Sequence, residues 1–262
     1  MTARRLRPFL LLCLMAGIVW VVADSAAENY HWQWYRVWPY LGTWSDGVFT
    51  PGPLLHGLAL TLKIVAGGLA VALLSGGLLA FMRLSPSPTA RVLAAATLGA
   101  VRNTPLLMQL LIVYFVVAPT LGIGAEASAS LSLGLFEGCY MAEIFRAGIV
   151  SLPRAQWEAA YSLGFGMGST LRLVILPQAL RRVVAPLSGQ IISLIKDSSL
   201  VSAIAVADLT LRGREAIAES FLSFEIWLLT AGIYLGLTLL AGLPALWLEK
   251  HINLSGAPHE QS

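Results

Sequence analysis

Long apolar stretches occupy most of the chain and constrain its fold more than any other feature. A helix needs about 20 mostly apolar residues to cross the hydrocarbon core of a bilayer. Six stretches meet or approach that length, at residues 8–23, 54–82, 92–118, 131–150, 183–206 and 221–248. Only 12% of the residues are charged, whereas soluble domains have about 25%. We therefore predict an all-α polytopic membrane protein with six transmembrane helices, which excludes a cytosolic enzyme and a disulfide-rich secreted domain.

The third stretch, 92–118, is interrupted by the sequence Arg102-Asn103-Thr104-Pro105. Pro105 removes a backbone donor, and Asn103 and Thr104 belong to the residue types that cap helix N-termini. We predict that two helical pieces meet here and that Asn103 or Thr104 caps the second piece.

Two glycine pairs, Gly134/Gly138 and Gly232/Gly236, have the four-residue spacing found where transmembrane helices approach closely. The chain has 24 glycines, so such spacing also arises by chance. The pairs predict close helix contacts, with chance spacing as the alternative.

Lysine and arginine are distributed asymmetrically between the connecting segments. If residues 1–7 are cytoplasmic, six spans place 83–91, 151–182 and 249–262 on the same side. The opposite loops contain only Arg36, Arg212 and Arg214. The cytoplasmic side, with one residue at its border, contains Arg4, Arg5, Arg7, Arg83, Arg91, Arg146, Arg154, Arg172, Arg181, Arg182 and Lys250. Because positive charge accumulates inside, we predict that both termini are cytoplasmic.

The N-terminal region, residues 1–53, has open alternatives. Its basic start, its apolar stretch and the small residues near Ala23 fit either a retained span or a cleaved signal peptide. Cleavage would leave the orientation of the other five spans unchanged. The aromatic residues of 30–40 are typical of a membrane-interface belt, and the alternative is a docking patch for an extracytoplasmic partner.

The sequence contains no motif that assembles a catalytic or metal centre. It lacks G-x-x-x-x-G-K-[ST], H-E-x-x-H, C-x-x-C and G-x-S-x-G, and its four histidines are scattered. Cys13 and Cys139 lie in apolar stretches and are typical of small packing residues. We expect no catalytic residue, metal or cofactor. We also expect no nucleic-acid partner, because membrane topology accounts for the basic residues.

The longest cytoplasmic segment, 151–182, has signals for two short helices. A proline stands at the start of the first, and Gly164 can adopt the positive φ that ends it. Ser169 or Thr170 can cap a second helix, which we predict to end at Pro177. The segment should form a rigid helix–turn–helix on the membrane face.

This segment resembles the EAA loop of bacterial ATP-binding-cassette (ABC) importer permeases, and we name residues 151–182 the EAA segment. Three residues separate the Glu-Ala-Ala triplet from a glycine, and nine more precede Val174-Ile175-Leu176-Pro177, where Val174 replaces the family's usual isoleucine. In that family the loop binds the ATPase subunit. The resemblance implies the same role for Glu158, Ala159, Ala160, Gly164 and Pro177.

Other segments resemble the polar amino-acid branch of the family, which includes histidine, glutamine and glutamate/aspartate importers. They are 57–63, 102–110, 142–149 and 195–200, with Asn103 in place of a glycine. The resemblance covers about residues 54–248, which we predict to be the permease domain. Residues 249–262 would form a short cytoplasmic tail.

The resemblance implies a non-catalytic permease subunit that moves polar amino acids across the bacterial inner membrane. In such importers two identical or similar permease subunits pair, two ATPase subunits hydrolyse ATP, and a soluble binding protein delivers the solute. That protein largely sets specificity, so this chain does not reveal which amino acid is carried. A self-sufficient secondary transporter or channel and a membrane-bound enzyme are the alternatives. The EAA segment and the missing catalytic cluster argue against them.

Charged residues within the apolar stretches would each cost roughly 2–4 kcal/mol at the bilayer centre, so they should avoid lipid. Glu143 and Arg146 are three residues apart and predict a pair. Three other charged residues lie near the ends of predicted spans, and we predict that their side chains snorkel to the interface: Lys63, Glu137 and Glu225. An amino acid carries both an ammonium and a carboxylate, so a translocation pathway needs polar groups within the membrane. The candidates for lining it are Arg102, Asn103, Thr104, Lys196 and Asp197. Structural pairing is the alternative role for these residues.

Overall fold

The computed structural model describes residues 30–253, with side chains to residue 244. The predicted first span, 8–23, and most of the predicted tail lie outside the described residues. The described chain opens with a 3-10 turn, Trp34–Arg36, and a short helix α1, Trp38–Leu41. An antiparallel hairpin of β1, Gly42–Ser45, and β2, Val48–Pro51, comes next. Its two-residue turn has positive φ at both positions, as tight hairpin turns require.

Helices make up most of the chain after this hairpin. They are α2 (Pro53–Leu84), α3 (Pro88–Arg102), α4 (Leu106–Ile112), α5 (Ala118–Leu121), α6 (Ala125–Val150), α7 (Arg154–Ser162), α8 (Met167–Ser169), α9 (Leu176–Asp197), α10 (Leu209–Ser220) and α11 (Ser223–Asn253). A π-helical turn, Val113–Val117, joins α4 to α5, and another, Thr170–Ile175, joins α8 to α9. The 3-10 segment Ser198–Ile204 continues α9.

Two described helices, α2 and Ser223–Pro244 of α11, are long and apolar enough to cross a membrane. Two bent pairs qualify only when each is counted as one span. These are α3 with Leu106–Leu121, bent by 103°, and Met167–Ile204 with α10, bent by 54°. The described residues thus offer two to four spans, and the predicted count of six is not confirmed.

Helix α6 is absent from that count although it covers the predicted span 131–150. Glu137, Glu143 and Arg146 interrupt its apolar sequence. Much of its surface is nevertheless buried against other helices. A helix enclosed by its neighbours can carry polar groups that a lipid-facing helix cannot.

Helices α2 and α6 run parallel and approach closely. A Cβ atom added at Gly134 would lie 2.5 Å from Val71 Cβ and 2.6 Å from the Gly68 carbonyl oxygen, so only glycine fits. The close contact predicted for Gly134/Gly138 is therefore confirmed. Gly232 and Gly236 have no such neighbour within the described chain.

Helix α9 runs antiparallel to α6. Val183 near its start lies against Gly148 near the end of α6, and Leu194 near its end joins the main apolar cluster with Leu133. That cluster also includes Ile64 and Leu110, so it joins α2, α4, α6 and α9 in one core. If these helices cross the membrane, α2 and α6 therefore cross it in one direction and α9 crosses it in the other.

Candidate functional site

The first half of the EAA segment folds as the sequence predicts. Helix α7 begins after Pro153 and ends just before Gly164, whose φ is +80°. The Phe165 N–H donates to the Ala160 carbonyl and closes the helix end. Ala160 is buried, whereas Glu158 and Ala159 are exposed, so the Glu-Ala-Ala triplet presents one acidic and one small residue outward.

The second half differs from the prediction in both its start and its end. Gly166, rather than Ser169 or Thr170, precedes the first helical residue. The helix does not stop at Pro177 but continues through it into α9. The preceding π-helical turn explains the continuation, because it shifts the backbone hydrogen bonds at the point where Pro177 cannot donate one.

Side-chain contacts attach α7 and its preceding loop to the start of α9. Arg182 donates to the Ser151 carbonyl at 2.7 Å and to its hydroxyl at 3.1 Å. Gln178 donates to the Gln156 side chain at 3.1 Å. Buried Leu152, Ile175 and Ala179, with Trp157 packed against them, form an apolar cluster beneath these bonds. The EAA segment and α9 therefore form one packed unit.

The break between α3 and α4 lies where the sequence predicts it, but its capping is different. Asn103 donates its side-chain amide to the Gly99 carbonyl at 2.8 Å, and Thr104 donates its hydroxyl to the Ala100 carbonyl at 3.0 Å. Both therefore close the end of α3, and the predicted capping of the second piece is wrong. Gln109 on α4 reaches back and donates to the Val101 carbonyl at 2.7 Å. This bond helps hold the sharp bend.

A polar cavity of about 390 Å³ lies beside this break. Its polar lining consists of Arg83, Arg102, Asn103, Tyr140 and Glu143. The volume falls within the range of about 300–1,000 Å³ found for small-molecule sites. The Arg102 guanidinium lies 5.1 Å from the centre of the Tyr140 ring, a cation–π contact. Thr104 does not line this cavity.

The charges of the cavity are only partly neutralised. Arg146 Nε lies 3.0 Å from a Glu143 carboxylate oxygen, which confirms the predicted pair, and Arg83 approaches the other oxygen at 3.7 Å. Among the described ion pairs, none involves Arg102. Its guanidinium can therefore donate hydrogen bonds to the carboxylate of a ligand.

Lys196 and Asp197 lie at the end of α9, away from the Arg102 cavity lining. Lys196 is exposed and Asp197 is half-buried, as expected for neighbours that point in different directions. The Asp197 carboxyl group lies near that of Glu137 on α6, within range of electrostatic interaction. We name Glu137 and Asp197 the carboxyl pair.

Glu137, Tyr140 and Glu143 form a polar strip along α6, because residues three apart lie on adjacent parts of one helix face. The strip connects the carboxyl pair to the cavity over about two helical turns. Sequence reasoning missed Glu137 and Tyr140 as site residues. The three-residue spacing of polar groups in an apolar helix was the available signal.

The predicted snorkelling is wrong for two of the three residues. Glu137 is 1% exposed, and Glu225 is completely buried. Glu225 instead accepts hydrogen bonds of 2.7 Å from the Tyr30 hydroxyl and the Gln33 backbone N–H. The first bond raises the pKa of Tyr30 above its usual value. Lys63 is well exposed and pairs with Glu126 at 2.7 Å.

Known proteins share this architecture. The chain is 34% identical over 225 residues to the glutamine transport system permease protein GlnP of Escherichia coli, covering 85% of this chain and 98% of that relative. It is 36% identical over 217 residues to the glutamate/aspartate import permease protein GltK of Escherichia coli O157:H7, covering 79% and 96%. A solved structure described as an amino acid ABC transporter with histidines matches with a TM-score of 0.70 and 32% identity, covering 76% of this chain and 94% of that chain.

A family model also matches most of the permease domain. It spans residues 68–254, and its description is "Binding-protein-dependent transport system inner membrane component". The match includes α6, the EAA segment and α9, which carry the candidate site. The chain therefore belongs to the family of inner-membrane components of binding-protein-dependent transport systems, as an ABC transporter permease of the amino-acid type.

Proposed function

We propose that this chain is the membrane subunit through which an ABC importer moves polar amino acids across the bacterial inner membrane. In the assembly, a soluble extracytoplasmic protein delivers the amino acid, and two ATPase copies supply energy. A second permease subunit, identical or similar, completes the pathway. The observation that carries the proposal is the EAA segment, with Glu158 and Ala159 exposed above a buried Ala160 and a positive-φ Gly164.

The EAA segment is suited to transmit force because it is attached to a long helical element. The bonds from Arg182 and Gln178 join α7 to α9. Helical structure then continues from Met167 to Ile204 and carries Lys196 and Asp197. An ATPase that binds Glu158, Ala159, Ala160 and the Gly164 turn would therefore move these intramembrane charges with it. Pro177 lies within the first turn of α9, directly after the π-helical turn.

The translocation pathway in this proposal runs along the polar strip of α6. Arg102 and Asn103 line the cavity where a substrate carboxylate can bind, and Thr104 holds the adjacent bend through its bonds to the end of α3. Lys196 and Asp197 supply charges further along α6. Structural pairing explains Glu143 and Arg146 but not Arg102.

Membrane orientation can be inferred from the arrangement of charge. We propose that the EAA segment and both termini face the cytoplasm, where the ATPase and ATP are found. Helix directions support this, because α2 and α6 run parallel whereas α9 runs antiparallel to them. Arg83 and Arg146 then lie toward the same membrane side as the EAA segment, as the positive-inside rule requires.

The test is ATP-driven uptake by the assembled transporter. The complex, co-purified with its ATPase and binding protein, would be reconstituted in proteoliposomes and tested with labelled polar amino acids. We expect uptake that requires ATP and both partners. Equal uptake by the permease chain alone, without ATP, would instead identify a secondary transporter or channel.

A further inference from the structure

A long apolar groove lies beside the EAA segment. Its volume is about 680 Å³, and residues of α2, α6, α7 and α9 line it. Among the described residues of this lining, only Arg154 is charged. Ala80 and Ala179 in the lining are buried, whereas Phe81 and Leu180 are 69% and 56% exposed. The groove therefore opens onto apolar surface of the helices, which in a membrane protein faces lipid or another chain.

The groove has the length of one membrane leaflet. Along α2 its lining extends from Leu84, the last residue of the helix, back to Leu73. These positions are about 16 Å apart along the axis, since an α-helix rises about 1.5 Å per residue. Half of the hydrocarbon core of a bilayer is about 15 Å thick. One acyl chain of a single leaflet can therefore lie along the whole groove.

Polar side chains of the described lining all lie at the end of the groove next to the EAA segment. Ser85 follows the end of α2, Arg154 begins α7, and Trp157 lies one turn further along α7. Arg154 is exposed and forms no ion pair among the described residues. Tryptophan is common at headgroup depth, and basic pockets between membrane helices bind anionic lipid headgroups. The groove thus matches a ligand with an apolar tail and an anionic head.

We propose that this apolar groove, which we name the lipid groove, binds an acyl chain of an anionic phospholipid whose headgroup contacts Arg154. The lipid belongs to the leaflet on the side of the EAA segment, which the proposed orientation makes cytoplasmic. It would contact α2, α6, α7 and α9 together. Its headgroup would therefore lie beside the helix that we propose to bind the ATPase.

Retention of lipid by the purified permease–ATPase complex tests this site. Native mass spectrometry would measure retained phosphatidylglycerol and phosphatidylethanolamine with identical acyl chains. We expect one phosphatidylglycerol per permease subunit. Arg154→Gln should reduce the preference for phosphatidylglycerol over phosphatidylethanolamine by about fivefold, the effect of one basic residue at an anionic headgroup. Gly77→Phe should remove most of both lipids, because Gly77 lines the groove and a Cβ atom there meets nothing within 4 Å among the described residues.

Each substitution has a matched control outside the lipid groove. Leu74→Phe adds the same side chain to α2 at an exposed position that does not line the groove. Arg181→Gln removes an exposed arginine of α9 that also lies outside the lining. Both controls should retain lipid normally. Retention that survives Gly77→Phe, or a headgroup preference unchanged in Arg154→Gln, would overturn the proposal. If Gly77→Phe does not assemble, Arg154→Gln decides the question.

Photo-crosslinking in native membranes identifies the occupant of the lipid groove directly. Benzoylphenylalanine would replace Phe81, which lines the groove, and mass spectrometry would identify the adduct. We expect a phospholipid adduct that becomes weaker in Gly77→Phe. An adduct with a second permease copy, with the ATPase or with residues 1–29 would overturn the proposal. Neither measurement depends on transport, so an overturned lipid site leaves the proposed transport function standing, whereas absence of ATP-driven uptake refutes that function alone.

Discussion

Arg182 on α9 donates hydrogen bonds to both the backbone carbonyl and the hydroxyl of Ser151, at 2.7 and 3.1 Å. The two residues are 31 positions apart in sequence, and these bonds join the start of the EAA segment to the helix at its other end. Ser151 also caps α6, since its hydroxyl donates to the Gly148 carbonyl at 3.0 Å. One arginine thus connects the end of α6, the loop before α7 and α9.

Arg182→Ala should weaken coupling without removing the ATPase. Loss of an exposed hydrogen-bonded contact costs roughly 1 kcal/mol, which is too little to unfold the packed apolar cluster beneath it. We expect normal membrane levels and normal ATPase co-purification, but slower ATP-driven uptake per ATP hydrolysed. Arg181→Ala is the control, because Arg181 is exposed and has no side-chain hydrogen bond in the described structure. Equal effects of the two substitutions would exclude a special role for Arg182.

Gly164→Val should disturb the docking surface through backbone strain alone. Among the described residues, a Cβ atom at Gly164 would meet nothing within 4 Å, so there is no steric clash with neighbours. However, φ of +80° is disfavoured for a β-branched residue, by about 1–2 kcal/mol. We expect the protein to insert but to bind less ATPase on co-purification. Gly168→Val, also in open space but without positive φ, should bind normally.

Gly134→Ala should destabilise the helix bundle. The added methyl group would press against Val71 and the Gly68 carbonyl, and overpacking of this kind typically costs about 1–3 kcal/mol. Gly232→Ala has open space within the described chain and replaces glycine by a better helix former, so it should be neutral or slightly stabilising. The apparent unfolding midpoint of the two variants in detergent is the measurement. A Gly134→Ala midpoint as high as that of Gly232→Ala would contradict the close α2–α6 contact.

Sequence reasoning locates the elements of this fold better than their connections. Apolar length predicts the extents of α2 and α11 closely, and the Arg102–Pro105 sequence predicts the break after α3. The sequence cannot predict that Asn103 and Thr104 donate hydrogen bonds to α3 rather than capping α4. The type of cap depends on the direction of the next helix, and the chain bends by 103° between the two helices here. The sequence also cannot predict that the helix continues through Pro177, since a π-helical turn has no clear sequence signature.

The candidate site shows the same limit. Spacing identifies the Glu143–Arg146 pair, which is local to one helix. Glu137 lies near Asp197 and Tyr140 contacts Arg102, and both of these neighbours are distant in sequence. Glu137 lies near the start of the apolar stretch 131–150, so apolar length alone predicts that it reaches the interface. Helix α6 begins earlier, at Ala125, and Glu137 therefore lies in the core.

Membrane orientation can be tested by single-cysteine labelling in a background without Cys13 and Cys139. Cysteines at Ser45 and Ala218 should react with an impermeant maleimide from outside, because neither position is buried. Cysteines at Ser87 and Ser169, which are exposed, should react only after the membrane is opened. Labelling of Ser169→Cys from outside would reverse the orientation and exclude cytoplasmic ATPase docking at the EAA segment.

Glu158 tests whether the EAA segment binds through a charge or through its shape alone. The side chain is exposed and has no ion pair in the described structure, so it contributes little to folding. Alanine is the better helix former, and Glu158→Ala should therefore leave stability and membrane levels unchanged. If docking buries a charged contact of Glu158, truncating that side chain costs roughly 2 kcal/mol or more of binding free energy. We therefore expect Glu158→Ala to lose ATPase on co-purification, with a parallel fall in uptake.

Charge reversal separates a specific contact from a general loss of polar surface. Glu158→Lys should reduce ATPase association more than Glu158→Ala, because repulsion from a basic or polar groove is added to the lost contact. The matched control is Ala155→Ser, which changes an exposed position on the same helix without changing its charge. Gln156→Ala is unsuitable as a control, because Gln156 accepts a hydrogen bond from Gln178. Normal association and uptake in both Glu158 variants would mean that the ATPase recognises the helix–turn–helix shape, and that Glu158 is only a surface residue of α7.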